Sequence, residues 1–192
     1  MNHKKLIKYS LIIKAVKIIL IAFIFIPDLS ASTKIDKDKK TIINTLEAHK
    51  ERLIEISDNI WEAAEPALLE FKSSKYLWDY AEENGFKVTK GVADIPTAFT
   101  AEYGSGKPII GIMGEFDANP GISQKKQPTK EPLIKGAAGH GCGHNLFGTA
   151  SLGAAIAIKE MIEAGEISGT VRFYGTPAEE TIFAKVWMVR EG

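Results

Sequence analysis

In the stretch GHGCGH, residues 139–144, His140, Cys142 and His144 alternate with glycine. Cys142 is the only cysteine of the chain, and two of its four histidines flank it. On an extended backbone alternate side chains share one side. The three donors would then converge, with glycine between them allowing close approach of the backbone. Thiolate and imidazole together suit zinc and similar transition metals. A helix expected from about Asn145 would present free N–H groups that favour the thiolate, with Asn145 as its N-cap. A phosphate-binding glycine loop does not fit, because its third glycine would fall on Leu146 and no Gly-Lys-Ser/Thr follows. Spacing leaves two other readings open: a cysteine nucleophile with a histidine base, and a purely structural turn.

Two acidic pairs extend the chemistry. Glu179 and Glu180 follow the strand-like VRFYG and a proline. Neighbouring side chains diverge, so one carboxylate can hold a metal while the other reaches a water. That separation of ligand from general base is what metal-assisted hydrolysis requires. Glu115 and Asp117 follow the apolar run IIGIM, and alternation aims both to one side. They read either as partners that orient a ligand histidine or as acids at a strand end.

The elements that must place these residues follow from periodicity. Apolar residues from Ile42 to Ala64 recur at three- and four-residue steps, which predicts a helix that Pro66 interrupts. KSSKYLWDYAEENGF predicts a second helix, capped by Ser73 or Ser74 and ended by Asn84-Gly85. TAFTAEYG and KPIIGIMGEFD read as strands joined by the turn-like GSGK. A long loop rich in Gly, Pro and Lys follows. Next come a helix over about 145–164 with the small residues Gly148, Ala150, Ser151, Gly153, Ala154 and Ala155, a strand SGTVRFYG, and another helix within 181–192. Strands alternating with long helices predict an α/β layered domain with a partly parallel sheet, whose sites gather at the carboxyl ends of strands.

Composition narrows the function classes. With 24 basic and 24 acidic residues the formal charge is zero, and nothing points to nucleic acid. Residues 1–32 run from a basic start through the apolar Ile18–Ile26 to small residues, the order of an export signal. Nine residues at ~1.5 Å each cover ~14 Å, short of a ~30 Å hydrocarbon core. Residues 11–26 as a membrane anchor are the alternative. Without residues 1–32, five lysines and Asp28 are lost, leaving 19 basic and 23 acidic residues and a formal charge of −4. The expected arrangement is an export segment at 1–32, a charged linker at 33–40 and a catalytic domain over 41–192. The location expected is periplasmic or extracellular.

GEFDANPG, GAAGHGCGHNLFGTASLGAAIAIKE and GTPAEE resemble the amidohydrolase branch of the aminoacylase/carboxypeptidase family of metallopeptidase-like hydrolases. The likeness is strongest to its p-aminobenzoyl-glutamate hydrolase and N-acyl-amino-acid amidohydrolase group, and covers roughly 41–192. It implies an α/β/α sandwich of the zinc-peptidase type, with two divalent ions, Zn2+ or Mn2+. It also implies Cys142, His144 and Glu180 as ligands and Glu179 as general base. His140 belongs to the motif without a ligand role. The implied reaction is hydrolysis of an amide bond in a small N-acyl- or aminobenzoyl-amino acid.

The resemblance has departures. Asn119 stands where the family commonly has leucine, and Asn145 where many relatives have aspartate. No histidine follows His144, whereas the family has further histidine ligands and an inserted dimerisation domain. The sequence is therefore expected to be the N-terminal portion of such an enzyme, lacking that inserted lid domain. It would be a homodimer if full length, one half of a split enzyme working with a complementing C-terminal fragment, or a non-catalytic remnant.

Overall fold

The computed structural model describes residues 29–192, with side chains from residue 35 onward. Residues 1–28 of the expected export segment, and the alternative anchor at 11–26, lie outside the described residues. The chain divides into two compact units, Met1–Lys40 and Thr41–Gly192. Of the first, residues 29–40 form the opening turns of helix α1, Leu29–Ala63, so the expected linker at 33–40 is helical. Among the described residues no helix is long and apolar enough to cross a membrane.

Within the second unit, α1 presents Leu53, Ile56 and Ile60 at three- and four-residue spacing to the core. It stops before Ala64, whose φ is +43°, and Pro66 lies just beyond. Helix α2, Phe71–Glu83, buries Leu77, Tyr80 and Ala81, and ends at Asn84 with Gly85 left-handed, as its sequence predicts. Its start differs from expectation. Ser73 and Ser74 lie inside the helix, and Glu65 accepts the free amides of Lys72 and Ser73 at 3.0 and 2.8 Å. A carboxylate there satisfies orphan donors and complements the helix dipole.

The sheet has four strands: β1, Lys87–Lys90; β2, Phe99–Ser105; β3, Ile109–Glu115; and β4, Gly169–Thr176. Its order is β1-β2-β4-β3. β1 pairs antiparallel with β2, and β2 antiparallel with β4, while β3 and β4 are parallel. GSGK therefore does not close a hairpin, because β4 inserts between the two strands it joins. Parallel β3 and β4 are bridged by helix α3, His144–Glu163, the crossover such pairing needs. β1 was not legible in advance: only Val88 of its four residues is even half-buried.

One sheet face packs against α1, α2 and α3 around Phe99, Phe116, Phe173, Leu152 and Ile156, all almost fully buried. The second helical layer is slight. Glu179–Ile182 (α4) and Ala184–Arg190 (α5) are separated by Phe183, whose φ is +55°. Ala184 and Met188 pack with Ile95, Ala98 and Ala178, with Tyr174 of β4 against them. Glycine brings α3 onto the sheet: a side chain at Gly148 would meet the Glu115 carbonyl oxygen at 2.5 Å. That contact sets the start of α3 beside the carboxyl end of β3.

Candidate metal centre

The first residue of α3 is His144, held by Gly143, whose φ of +81° suits glycine. Asn145 is not the N-cap. Its buried amide donates to the Ser57 hydroxyl at 3.1 Å, tying α3 to α1. This bond gives Asn145 a packing role.

His144 is 7% exposed and ringed by acids. Its Nδ1 lies 2.9 Å from Asp117 Oδ1 and 3.1 Å from the Asp117 carbonyl oxygen. Both atoms are acceptors, so Nδ1 carries the proton and donates, which leaves the Nε2 lone pair facing outward. Nε2 in turn lies 3.0 Å from Glu115 Oε2, 3.8 Å from Glu180 Oε1 and 4.0 Å from Glu179 Oε2. A lone pair directed at three carboxylates calls for a positive charge between them, either a proton or a metal ion. Burial opposes protonation of His144, but the hydrogen bond to Asp117 and the charges of Asp117, Glu115 and Glu180 outweigh it and raise its pKa. Burial likewise works against the Asp117 anion, yet the bonds from His144 and the Glu180 amide prevail and hold its pKa below the usual value.

Two donor triads share this imidazole. Cys142, His144 and Glu180 form one, and Glu115, His144 and Glu179 the other. Within each, the donor atoms lie within 4.8 Å of one another. Glu179 and Glu180 thus diverge into different triads. Glu180 Oε1 is buried with no hydrogen-bond partner. An orphaned buried carboxylate oxygen beside an unshared imidazole nitrogen and a thiol fits a divalent cation. Lys185 of α5 pairs with the other oxygen of Glu115. No sequence periodicity flagged this contact.

Three expectations are corrected. The segment 140–143 is not an extended strand, and of the three donors only Cys142 and His144 come together. His140 turns away: its Nε2 donates to the Ile60 carbonyl at 3.1 Å, and burial lowers its pKa. The helix N-terminus does not favour a thiolate on protein charges alone. Glu180, by hydrogen bond and charge, raises the Cys142 pKa, with burial and then Glu179 and Glu115 adding to it. This disfavours a free cysteine nucleophile. Glu115, read either as an orienting partner or as a strand-end acid, faces the outward nitrogen and completes a triad, while Asp117 is the residue that orients the ring.

No family profile matches the chain. Over 154 residues it is 47% identical to one of the subunits of p-aminobenzoyl-glutamate hydrolase from Escherichia coli (strain K12), covering 79% of this chain and 32% of that protein. Its fold resembles that of a protein described as an aminohydrolase from methicillin-resistant Staphylococcus aureus. The TM-score is 0.67 at 26% identity, over 80% of this chain and 39% of that one. It also resembles a dinuclear metal-binding peptidase of the M20 family from Bacillus subtilis. There the TM-score is 0.59 at 29% identity, over 70% and 36% of the two chains. The chain spans about a third of the length of the curated relatives it matches. Mixed α/β layering agrees with these likenesses, and over most of its length the chain is similar to metallopeptidase-like amidohydrolases.

Proposed function

We propose that this chain carries the metal-binding and proton-transfer part of an enzyme that hydrolyses the amide bond of a small N-acyl- or aminobenzoyl-amino acid. The observation that supports this most is the pair of donor triads sharing His144. Cys142, His144 and Glu180 would hold one divalent ion, with Glu115 offering a carboxylate to a second; Zn2+ or Mn2+ are the ions proposed. Bound cations supply polarisation of the amide carbonyl and acidify the attacking water. Glu179 takes that water's proton and returns it to the departing amine. Asp117 keeps the His144 proton on Nδ1 throughout, so Nε2 remains a donor atom. We also propose that the protein is exported.

A second reading, that the chain works with a complementing polypeptide segment, is favoured by edge strand β3. It leaves Ile109, Ile110 and Met113 at least half exposed. The test is hydrolysis of p-aminobenzoyl-glutamate and N-acetyl-amino acids with zinc or manganese added. It is run on the full chain alone and with any segment encoded downstream of residue 192. Turnover abolished by Glu179→Gln with metal still bound supports the reading. Full activity in that variant would overturn the role of Glu179. Absence of turnover both alone and with the complementing segment would make the chain a non-catalytic remnant.

A further inference from the structure

Glu70 is a fully buried acid outside both triads. It stands at the N-cap of α2 between two exposed apolar residues, Leu69 and Phe71. Both of its oxygens are engaged: Oε2 accepts from the Thr97 hydroxyl at 3.1 Å, and Oε1 from the Ala178 amide at 2.8 Å. Ala178 is itself buried and left-handed, with φ +56°. An alanine keeps that conformation only where its surroundings impose it. The next two residues are Glu179 and Glu180. The Glu180 amide donates to Asp117 Oδ2 at 2.9 Å. Two carboxylates, far apart in sequence, thus hold alternate amides of the turn that aims the acidic pair.

Burying a carboxylate is costly, and no cation pairs with Glu70 among the described residues. Its burial pushes its pKa up to about 7, against the pull of the hydrogen bonds it accepts. A group so placed is poorly suited to adding stability. It is well suited to fixing one peptide plane. We infer that Glu70 is a positioning residue of the metal centre: through the Ala178 amide it sets the direction in which Glu179 and Glu180 leave β4. This rests on the metal-centre reading above.

Zinc affinity, measured by chelator competition on the folded full chain, tests the inference together with hydrogen exchange at the Ala178 amide. Glu70→Gln keeps an oxygen for Ala178 and a polar partner for Thr97, and should bind zinc like the wild type. Glu70→Asp keeps the acid but is one methylene too short to span both partners. It should weaken zinc binding by about tenfold and speed exchange at Ala178. A purely structural role predicts a lower melting temperature for Glu70→Asp with zinc affinity unchanged in the folded state, and that result overturns the inference. Should Glu70→Asp fail to fold, exchange in the wild type decides. An Ala178 amide as protected as that of Glu180 supports the clamp, and exchange at exposed-loop rates overturns it. Wild-type protein that binds no zinc would fail differently, by removing the metal centre itself.

Discussion

Asp117 and His144 are joined through the ring nitrogen that faces away from the other acids, Nδ1 to Oδ1 at 2.9 Å, with the Asp117 side chain completely buried. This contact selects the tautomer whose second nitrogen points at Glu115, Glu179 and Glu180. Asp117→Asn presents either an amide or a carbonyl to Nδ1 and leaves the backbone carbonyl, at 3.1 Å, as the one fixed acceptor favouring that tautomer. Zinc affinity should fall between about 10- and 100-fold, the range for partners of ligand histidines. Isothermal titration on metal-stripped protein checks it, and unchanged affinity would remove the orienting role.

Cys142 is exposed, and Glu180 is the largest influence raising its pKa. In metal-stripped protein its thiol should therefore react slowly with a disulfide reagent at neutral pH. Glu180→Gln should speed that reaction, since the thiolate is the reactive form. Added zinc should protect the thiol in the wild type and protect it less in the variant. Stopped-flow absorbance reads both rates, and a variant that reacts no faster than wild type would contradict the assigned electrostatics.

Stability should carry a signature of Glu70. Its folded pKa is raised from 4.5 to about 7. Below pH 4.5 both folded and unfolded chains hold the proton. Between 4.5 and 7 the folded chain holds it and the unfolded chain has lost it, so stability from this group falls as pH rises through that window. A shift of this size corresponds to on the order of 3 kcal/mol. Subtracting the pH profile of Glu70→Gln from that of the wild type, both by urea unfolding, isolates it. A flat difference would place the pKa near its ordinary value.

Gly148 tests how helix packing serves the site. An alanine methyl would meet the Glu115 carbonyl oxygen at 2.5 Å, and that atom is backbone and cannot swing aside. Gly148→Ala should destabilise the fold by about 1–3 kcal/mol, as overpacked positions do. It should also weaken metal binding, because α3 carries His144 and β3 carries Glu115. Gly85→Ala is the comparison: a side chain there meets nothing within 4 Å, and only its φ of +81° resists. It should lower the melting temperature and leave metal affinity unchanged.

Local sequence was enough to place the main helical segments and three of the four strands and to single out Cys142, His144, Glu179 and Glu180 as candidates, although residues 33–40, read as a linker, are helical. Periodicity, a glycine stop at Gly85 and donor types at short spacing are all properties of neighbouring residues. Strand order was not of this kind: GSGK looks like a hairpin turn, and only the crossover through α3 places β4 between β2 and β3. The direction of side chains was not either. His140 and His144 are four residues apart, yet one bonds to α1 and the other to Asp117, because the backbone between them turns rather than extends. The thiol's preference for its proton, the place of Glu115 in a triad and the hold of Glu70 on Ala178 arise between residues tens of positions apart. Hydrogen bonds and Coulomb forces act over a few ångströms of space, so the partners of each acid were settled only when the chain closed on itself.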